Sequence, residues 1–276
     1  MNIQLSVVII TWNAEQDVKQ CLDSVLEATL SHATEVIVVD NGSTDNTRAI
    51  LESYEERINL FFLKKNNGVA VARNIGMAAA KGEYIWILDV DTIVNKNAVD
   101  GMIEYLGNNP ECGICACRLQ SESGDVQESC RKMPYPKHKI RNLLASKTGK
   151  SVFTKKLNEK IKKQNETQFY YKEMQGSEPF EAEYVIGACQ TFRKTILEEV
   201  GFLDEKIFYG PEDADFCLRI CRKGYKVVCL PTYYIVHHYN RISNKKIFSR
   251  LSYLHLKGLV YFYIKHKNKK CIVKNG

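Results

Sequence analysis

Two carboxylates one residue apart, Asp89 and Asp91, follow the apolar run Tyr84-Ile85-Trp86-Ile87-Leu88. Ionised carboxylates at the end of a buried strand need a partner, and a divalent cation supplies one. A hard, oxygen-rich pair suits Mg2+ or Mn2+, completed by phosphate oxygens and water. His237 or His238, closing a later strand, would add a nitrogen ligand. A second acidic cluster, Glu212-Asp213-Ala214-Asp215, opens a helix after Tyr209-Gly210-Pro211. Acids in a first helical turn are favoured by the helix dipole; one of them is also suited to act as a general base toward an attacking hydroxyl. Glu212 and Asp215, at i and i+3, share a helix face, which leaves Asp213 to point elsewhere, toward a crevice. Arg73, early in a helix of small residues, would bring a guanidinium to a diphosphate or to one of these acids.

These side chains need a scaffold that gathers them. Leu5 to Ile10, Glu35 to Val39, Leu60 to Leu63 and Tyr84 to Leu88 are continuous apolar or β-branched runs, the pattern of strands buried on both faces. Helical spacing follows from Val18, from about Asn46 to Glu56, and from Val69 to Ala80, where Ala and Gly let the backbone approach a sheet. Alternating strands and helices predict βαβ units and a mainly parallel sheet flanked by helices. Ligands of such sheets bind beyond the carboxyl ends of the strands. Thr11 and Asn13, Asp40, Asn66 to Gly68, and Asp89 with Asp91 stand at four such ends. Further on, Val185 to Cys189 and Lys226 to Leu230 predict strands, and Thr195 to Val200 a short helix. Residues 131–163 break the pattern; Ile140, Leu143, Leu144, Leu157 and Ile161 predict short amphipathic helices there.

The chain has 276 residues, 45% hydrophobic and 26% charged, which is globular rather than disordered composition. Its net charge of +7 is unevenly distributed. Residues 1–130 carry 9 basic and 19 acidic side chains, residues 131–163 carry 12 and 1, and residues 241–276 carry 10 and none. Two basic segments on an acidic body point to an anionic lipid surface or anionic substrate, not to a nucleic acid, for which no recognition module is evident. The window Leu254 to Ile264 is too short and too polar to span a bilayer. Its apolar and basic mixture fits an interfacial helix, or one packed on the domain itself. Ten cysteines lie scattered, several within apolar runs; Cys112-Gly-Ile-Cys115-Ala-Cys117 alternates as a strand does, without a second ligand pair for zinc. With no basic-then-apolar leader at the start, a reduced cytoplasmic chain is expected, peripheral on the inner face of the cell membrane if the tail binds lipid.

Seven segments in this order resemble the family 2 inverting glycosyltransferases of GT-A fold: residues 7–13, 38–45, 66–76, 88–92, 187–194, 212–219 and 236–238. The similarity is nearest to the rhamnosyltransferase-like branch that builds bacterial surface polysaccharides. The resemblance implies an α/β GT-A domain over 1–240, with a nucleotide-sugar half at 1–110 and an acceptor half at 111–240. Residues 241–276 would be a basic amphipathic extension. It implies that Thr11, Asn13 and Glu15 line the nucleotide pocket, that Asp40 bonds a uracil or thymine with Gly42 and Ser43 close by, and that Asn67 and Arg73 complete the cradle. Asp89 would hold ribose or a metal-bound water, Asp91 the Mg2+ or Mn2+ ion, and His237 would be a further ligand. Asp213 would be the base, with Glu212 as alternative. The donor would be a UDP- or dTDP-sugar and the acceptor a saccharide or lipid-diphosphate-linked saccharide. A non-catalytic, nucleotide-sugar-binding subunit associated with a membrane is the competing expectation.

Overall fold

The computed structural model describes residues 3–134, 171–238 and 250–267. Four strands open the fold: β1 (Leu5–Thr11), β2 (Thr34–Asp40), β3 (Asn59–Phe62) and β4 (Tyr84–Asp89). β1 lies between β2 and β4, parallel to both, and β3 extends the sheet from β2. Three helices connect them: α1 (Val18–Ala28), α2 (Thr47–Glu52) and α3 (Val69–Ala79). α1 buries Val18, Cys21, Leu22 and Val25, the stripe that helical spacing predicts. α3 packs by its backbone: a Cβ on Gly76 would overlap Val8 Cγ1 on β1. The small residues of this helix are therefore a contact requirement, as their sequence spacing suggests.

The second half completes the same sheet. β5 (Thr92–Ile93) and α4 (Lys96–Asn108) follow β4; the Asn95 side chain caps α4 by accepting from the Ala98 N–H at 3.0 Å. Next come β6 (Cys112–Gln120), β7 (Cys130–Arg131), the short β8 (Phe180–Glu181), β9 (Tyr184–Val185) and β10 (Cys189–Arg193). α5 (Thr195–Val200), α6 (Glu212–Arg222), β11 (Lys226–His237) and α7 (Arg250–Lys265) close the described chain. The main sheet runs β3-β2-β1-β4-β10-β6-β11-β5. β10 is antiparallel to both β4 and β6, while β6 and β11 are parallel. The result is a mixed α/β fold with a mainly parallel sheet flanked by helices.

Two local readings change and one holds. The run Val185 to Cys189 is not one strand: β9 ends at Val185, and the chain turns through Gly187, whose carbonyl accepts from Arg73, before β10 begins at Cys189. β11 continues through Pro231 to His237, with its register shifting between Leu230 and Tyr234. A proline cannot donate to the ladder, and the shift accommodates it. Cys112, Cys115 and Cys117 lie on β6, which is buried on both faces over this stretch, and all three are buried and free. The amphipathic helices expected between 140 and 161 lie outside the described residues.

Candidate active site

The carboxyl ends of β1, β2 and β4 face two clefts that meet at one acidic pair. The first, about 560 Å³, is lined by Thr11, Trp12, Asn13, Glu15, Phe208 and Tyr209, among others. The second, about 650 Å³, is lined by Arg73, Arg131, Gly187, Glu212, Asp213 and His237. Ile10, Val69, Asp89, Asp91 and Tyr209 belong to both.

Asp89, Asp91 and His237 each bring one ligand atom to a common point, all within 4.8 Å of one another. Two carboxylates and an imidazole, all at strand ends, form a donor set that fits Mg2+ or Mn2+. His237 Nδ1 lies 2.7 Å from Gln127 Oε1, and Gln127 Nε2 donates to the His237 carbonyl at 2.7 Å. The second bond fixes which end of the amide faces the ring. Nδ1 must then carry the proton and donate, which orients Nε2 toward the acids. Nε2 stands 3.4 Å from Asp91 Oδ1. Burial disfavours the His237 imidazolium, but the bond to Asp91 and the charges of Asp91 and Asp89 outweigh it and hold the pKa above the ordinary 6.5. The two histidines of the doublet lie in different surroundings. His237 is buried at the site, whereas the His238 ring lies beside Asp17 and Glu122, at 3.6 and 3.0 Å.

Arg73 is the hub behind these acids. It is almost fully buried and donates to Asp89 at 2.6 Å and to the Gly187 carbonyl at 2.8 Å, with Glu212 at 3.4 Å. Of the two roles open to it in the sequence, the pairing with acids is the one seen here. A Cβ on Gly187 would overlap this guanidinium. Gly187→Ala is therefore expected to displace Arg73 and to lower stability by about 1–3 kcal/mol, read by chemical denaturation.

The acids of α6 separate into three environments. Glu212 is buried beneath the cleft; burial first, then the charge of Asp213, pushes its pKa up to about 7 against the pull of Arg73. Asp213 is half-buried, lines the second cleft and accepts the Ala214 N–H at 2.7 Å. Burial raises its pKa, opposed by that N–H, Arg131 and Arg73. Asp215 turns away and pairs with Arg219, Lys265 and His266. The i, i+2 spacing thus separates Asp213 from Asp215, but Glu212, at i, i+3 from Asp215, pairs with Arg73 and does not share the ion-pair network of Asp215.

The remaining residues expected at the nucleotide cradle form a linked network. Asn13 adopts φ +51°, its N–H donates to Ser43 Oγ at 2.9 Å, and its Oδ1 accepts the Thr44 N–H at 2.8 Å. Glu15 accepts the Asn46 N–H at 3.1 Å. Gly42, at φ +82°, runs against the Lys65 backbone, where no Cβ would fit. Asp40 is fully buried: Ser43 and Thr11 donate to it, and Arg48 Nε donates at 2.8 Å. A base reaching Asp40 must therefore exchange with one of these donors. Asn67 is half-buried; its N–H donates at 2.9 Å to Asn41 Oδ1. Asn41 also donates to Asn66 and to the Gly68 carbonyl, tying the β2 and β3 ends together. Sequence reasoning missed Asn41, Gln127, Tyr209 and Arg131. Only Asn41 carried a visible signal, its position directly after Asp40. Gln127 lies 110 residues from its imidazole partner.

Comparison with known proteins gives the chain a family. The family model described as "Glycosyl transferase family 2" matches residues 6–201. TuaG of Bacillus subtilis, a putative teichuronic acid biosynthesis glycosyltransferase, is 38% identical over 105 residues, 37% of this chain and 41% of its own. EpsJ of Bacillus subtilis, an uncharacterized glycosyltransferase, is 27% identical over 229 residues, covering 82% of this chain and 58% of its own. The chain thus spans less than two thirds of these relatives. Among solved structures, GalNAc-T7 with UDP, GalNAc and Mn2+ aligns with 95% of this chain and 48% of its own, at TM-score 0.66 and 17% identity. The mannosyltransferase PcManGT of Pyrobaculum calidifontis, with GDP-Man and Mn2+, aligns with 88% and 59% at TM-score 0.58 and 19% identity. At such identities the likeness establishes the GT-A fold. With the family match covering most of its length, the chain belongs to glycosyl transferase family 2.

Proposed function

We propose that this protein transfers a sugar, with inversion, from a nucleotide-diphosphate sugar to a hydroxyl of a saccharide or lipid-diphosphate-linked acceptor in bacterial surface polysaccharide synthesis. The observation that carries it is the meeting of two clefts at Asp89 and Asp91, with Asp213 lining only the second. In this reading residues 1–110 hold the donor nucleotide in the first cleft, and residues 111–240 supply the acceptor side. The rhamnosyltransferase-like motifs favour a UDP- or dTDP-linked hexose or deoxyhexose.

The chemistry follows from the residues. Mg2+ or Mn2+ held by Asp89, Asp91 and His237 would neutralise charge on the departing diphosphate. Asp213, whose pKa is raised by burial, accepts the proton of the acceptor hydroxyl in its ionised form. That oxygen then attacks the anomeric carbon from the face opposite the leaving group, and one displacement inverts the configuration. Arg73 and Gly187 hold the floor between the two acids in place. Thermal unfolding against UDP-, dTDP- and GDP-sugars tests this reading. A preferred donor at a hundredfold its Kd is expected to add about 2.7 kcal/mol of stability. No stabilisation by any of them, with Mn2+ or Mg2+ present, would overturn it.

A further inference from the structure

We propose that α7 is a two-sided element: its inner face closes the transfer cleft, and its outer face lies on an anionic lipid bilayer. The acceptor is then a lipid-linked saccharide, presented to Asp213 from the membrane side. This rests on the glycosyltransferase reading above.

The inner face is built into the site. Ser252, His255 and Leu259 line the second cleft, and Leu251 lines the first. Leu259 and Phe262 are buried. Gly258 meets the Gly210 carbonyl so closely that a Cβ there would lie 2.7 Å from it, two residues before Glu212. The helix is anchored at its far end. Lys265 Nζ donates to Asp204 and Asp215, each at 2.7 Å, Tyr261 Oη donates to Asp204 at 3.0 Å, and His266 Nε2 sits 2.7 Å from Asp215. Burial would raise the Asp204 and Asp215 carboxyls, but these partners hold both below the ordinary value.

The outer face has the opposite character. Tyr253, Leu256, Val260 and Ile264 are 67%, 59%, 50% and 69% exposed. They recur every three to four residues, so they form one continuous apolar stripe. Arg250, Lys257 and Lys267 are exposed along the same stripe. No Asp or Glu occurs anywhere in residues 241–276, against 10 Lys and Arg. An exposed apolar stripe lined only by cations is the profile of a helix lying in a lipid interface. Two copies laid stripe to stripe would bring like charges together, whereas anionic headgroups would pair with them. Among the described residues no helix is long and apolar enough to cross a membrane, so the contact is interfacial.

The experiment is cosedimentation of the full chain with phosphatidylglycerol or phosphatidylcholine vesicles at low salt. The native chain is expected to pellet with phosphatidylglycerol alone and to be released by added salt. The double variant Leu256→Ser/Ile264→Ser and the single variant Lys257→Glu are both expected to bind roughly tenfold more weakly. Both alter exposed positions outside the cleft, so both are expected to keep their unfolding temperature and the stabilisation by UDP and Mn2+. Retained vesicle binding with no stabilisation by UDP-, dTDP- or GDP-sugars in the presence of Mn2+ would sink the transferase reading while leaving the docking face standing. Vesicle binding unchanged in both variants would overturn the docking face. So would a native dimer, seen by light scattering, that the variants dissolve while the chain ignores vesicles.

Discussion

Asp91→Asn is expected to lower sugar transfer by about a thousandfold or more. Metal stabilisation of a leaving group supplies several kcal/mol, and each 1.4 kcal/mol, roughly, is a factor of ten. The effect should come without loss of fold. Asp91 lies at the cleft, about three quarters covered, and Arg73 pairs with Asp89 rather than with it. Removing one carboxylate from an acidic pair also relieves repulsion in the metal-free protein. Against that stands the lost partner of His237. The His237 pKa is raised in the fold, so its stabilising share is present below pH 6.5 and is lost as pH rises through the folded value. The variant therefore forfeits least of it at alkaline pH, above the folded value. Thermal unfolding at pH 8 in EDTA should give a Tm equal to or above the native one, and added Mn2+ should no longer raise it. Full transfer activity in purified Asp91→Asn would refute the metal assignment.

The second large effect is at Asp213. Asp213→Asn removes the proton acceptor and is expected to lower kcat by about 10²–10⁴ while leaving donor stabilisation intact. Glu212→Gln should behave differently. Glu212 is buried under the cleft against Arg73, and its role is to hold that guanidinium. Its pKa is raised to about 7 by burial and by Asp213. A carboxyl raised in the fold favours the native state fully below its unfolded pKa, and that advantage is lost as pH climbs through the folded value. Glu212→Gln should therefore match the native protein near pH 4 and gain on it above pH 7, by about 1–3 kcal/mol after the weakened Arg73 contact is subtracted. Unfolding by urea at the two pH values measures this. For transfer, Asp213 must be ionised, and its raised pKa places the acidic fall in rate at a higher pH than an ordinary aspartate would give. If Glu212→Gln abolishes transfer and Asp213→Asn spares it, the two roles are exchanged.

Much of the site was legible because parallel sheets are written in continuous apolar runs. β1, β2 and β4 announce themselves, and the polar residue after each must lie at one edge. Local spacing also separated Asp213 from Asp215. What the sequence hid depends on partners distant along the chain. Nothing near Asp40 says that Arg48 will neutralise it, or that burial will leave Ser43 and Thr11 as its other partners. Nothing near His237 points to Gln127, and the doublet itself gives two equal candidates, of which the structure brings His237 beside Asp89 and Asp91. The tail was ambiguous for another reason. A helix that is apolar on both faces has no single stripe, so pattern alone could not choose between packing and exposure; α7 does both.

The antiparallel β10 has a temporal consequence. It fills the slot between β4 and β6, yet it is made after both, once 189 residues or more have emerged. Until then β4 and β6 each present an open backbone edge, and the Gly187 carbonyl that receives Arg73 does not yet exist in place. A nascent or truncated chain stopping short of β10 would hold the Asp89–Asp91 end of the site with unpaired strands beside it. Such edges invite pairing with other chains. β10 thus closes the gap between β4 and β6, while the far edge of β6 stays open until β11, the strand that ends in His237, is made; the last edge of β6 is covered by the same strand that completes the Asp89–Asp91–His237 cluster.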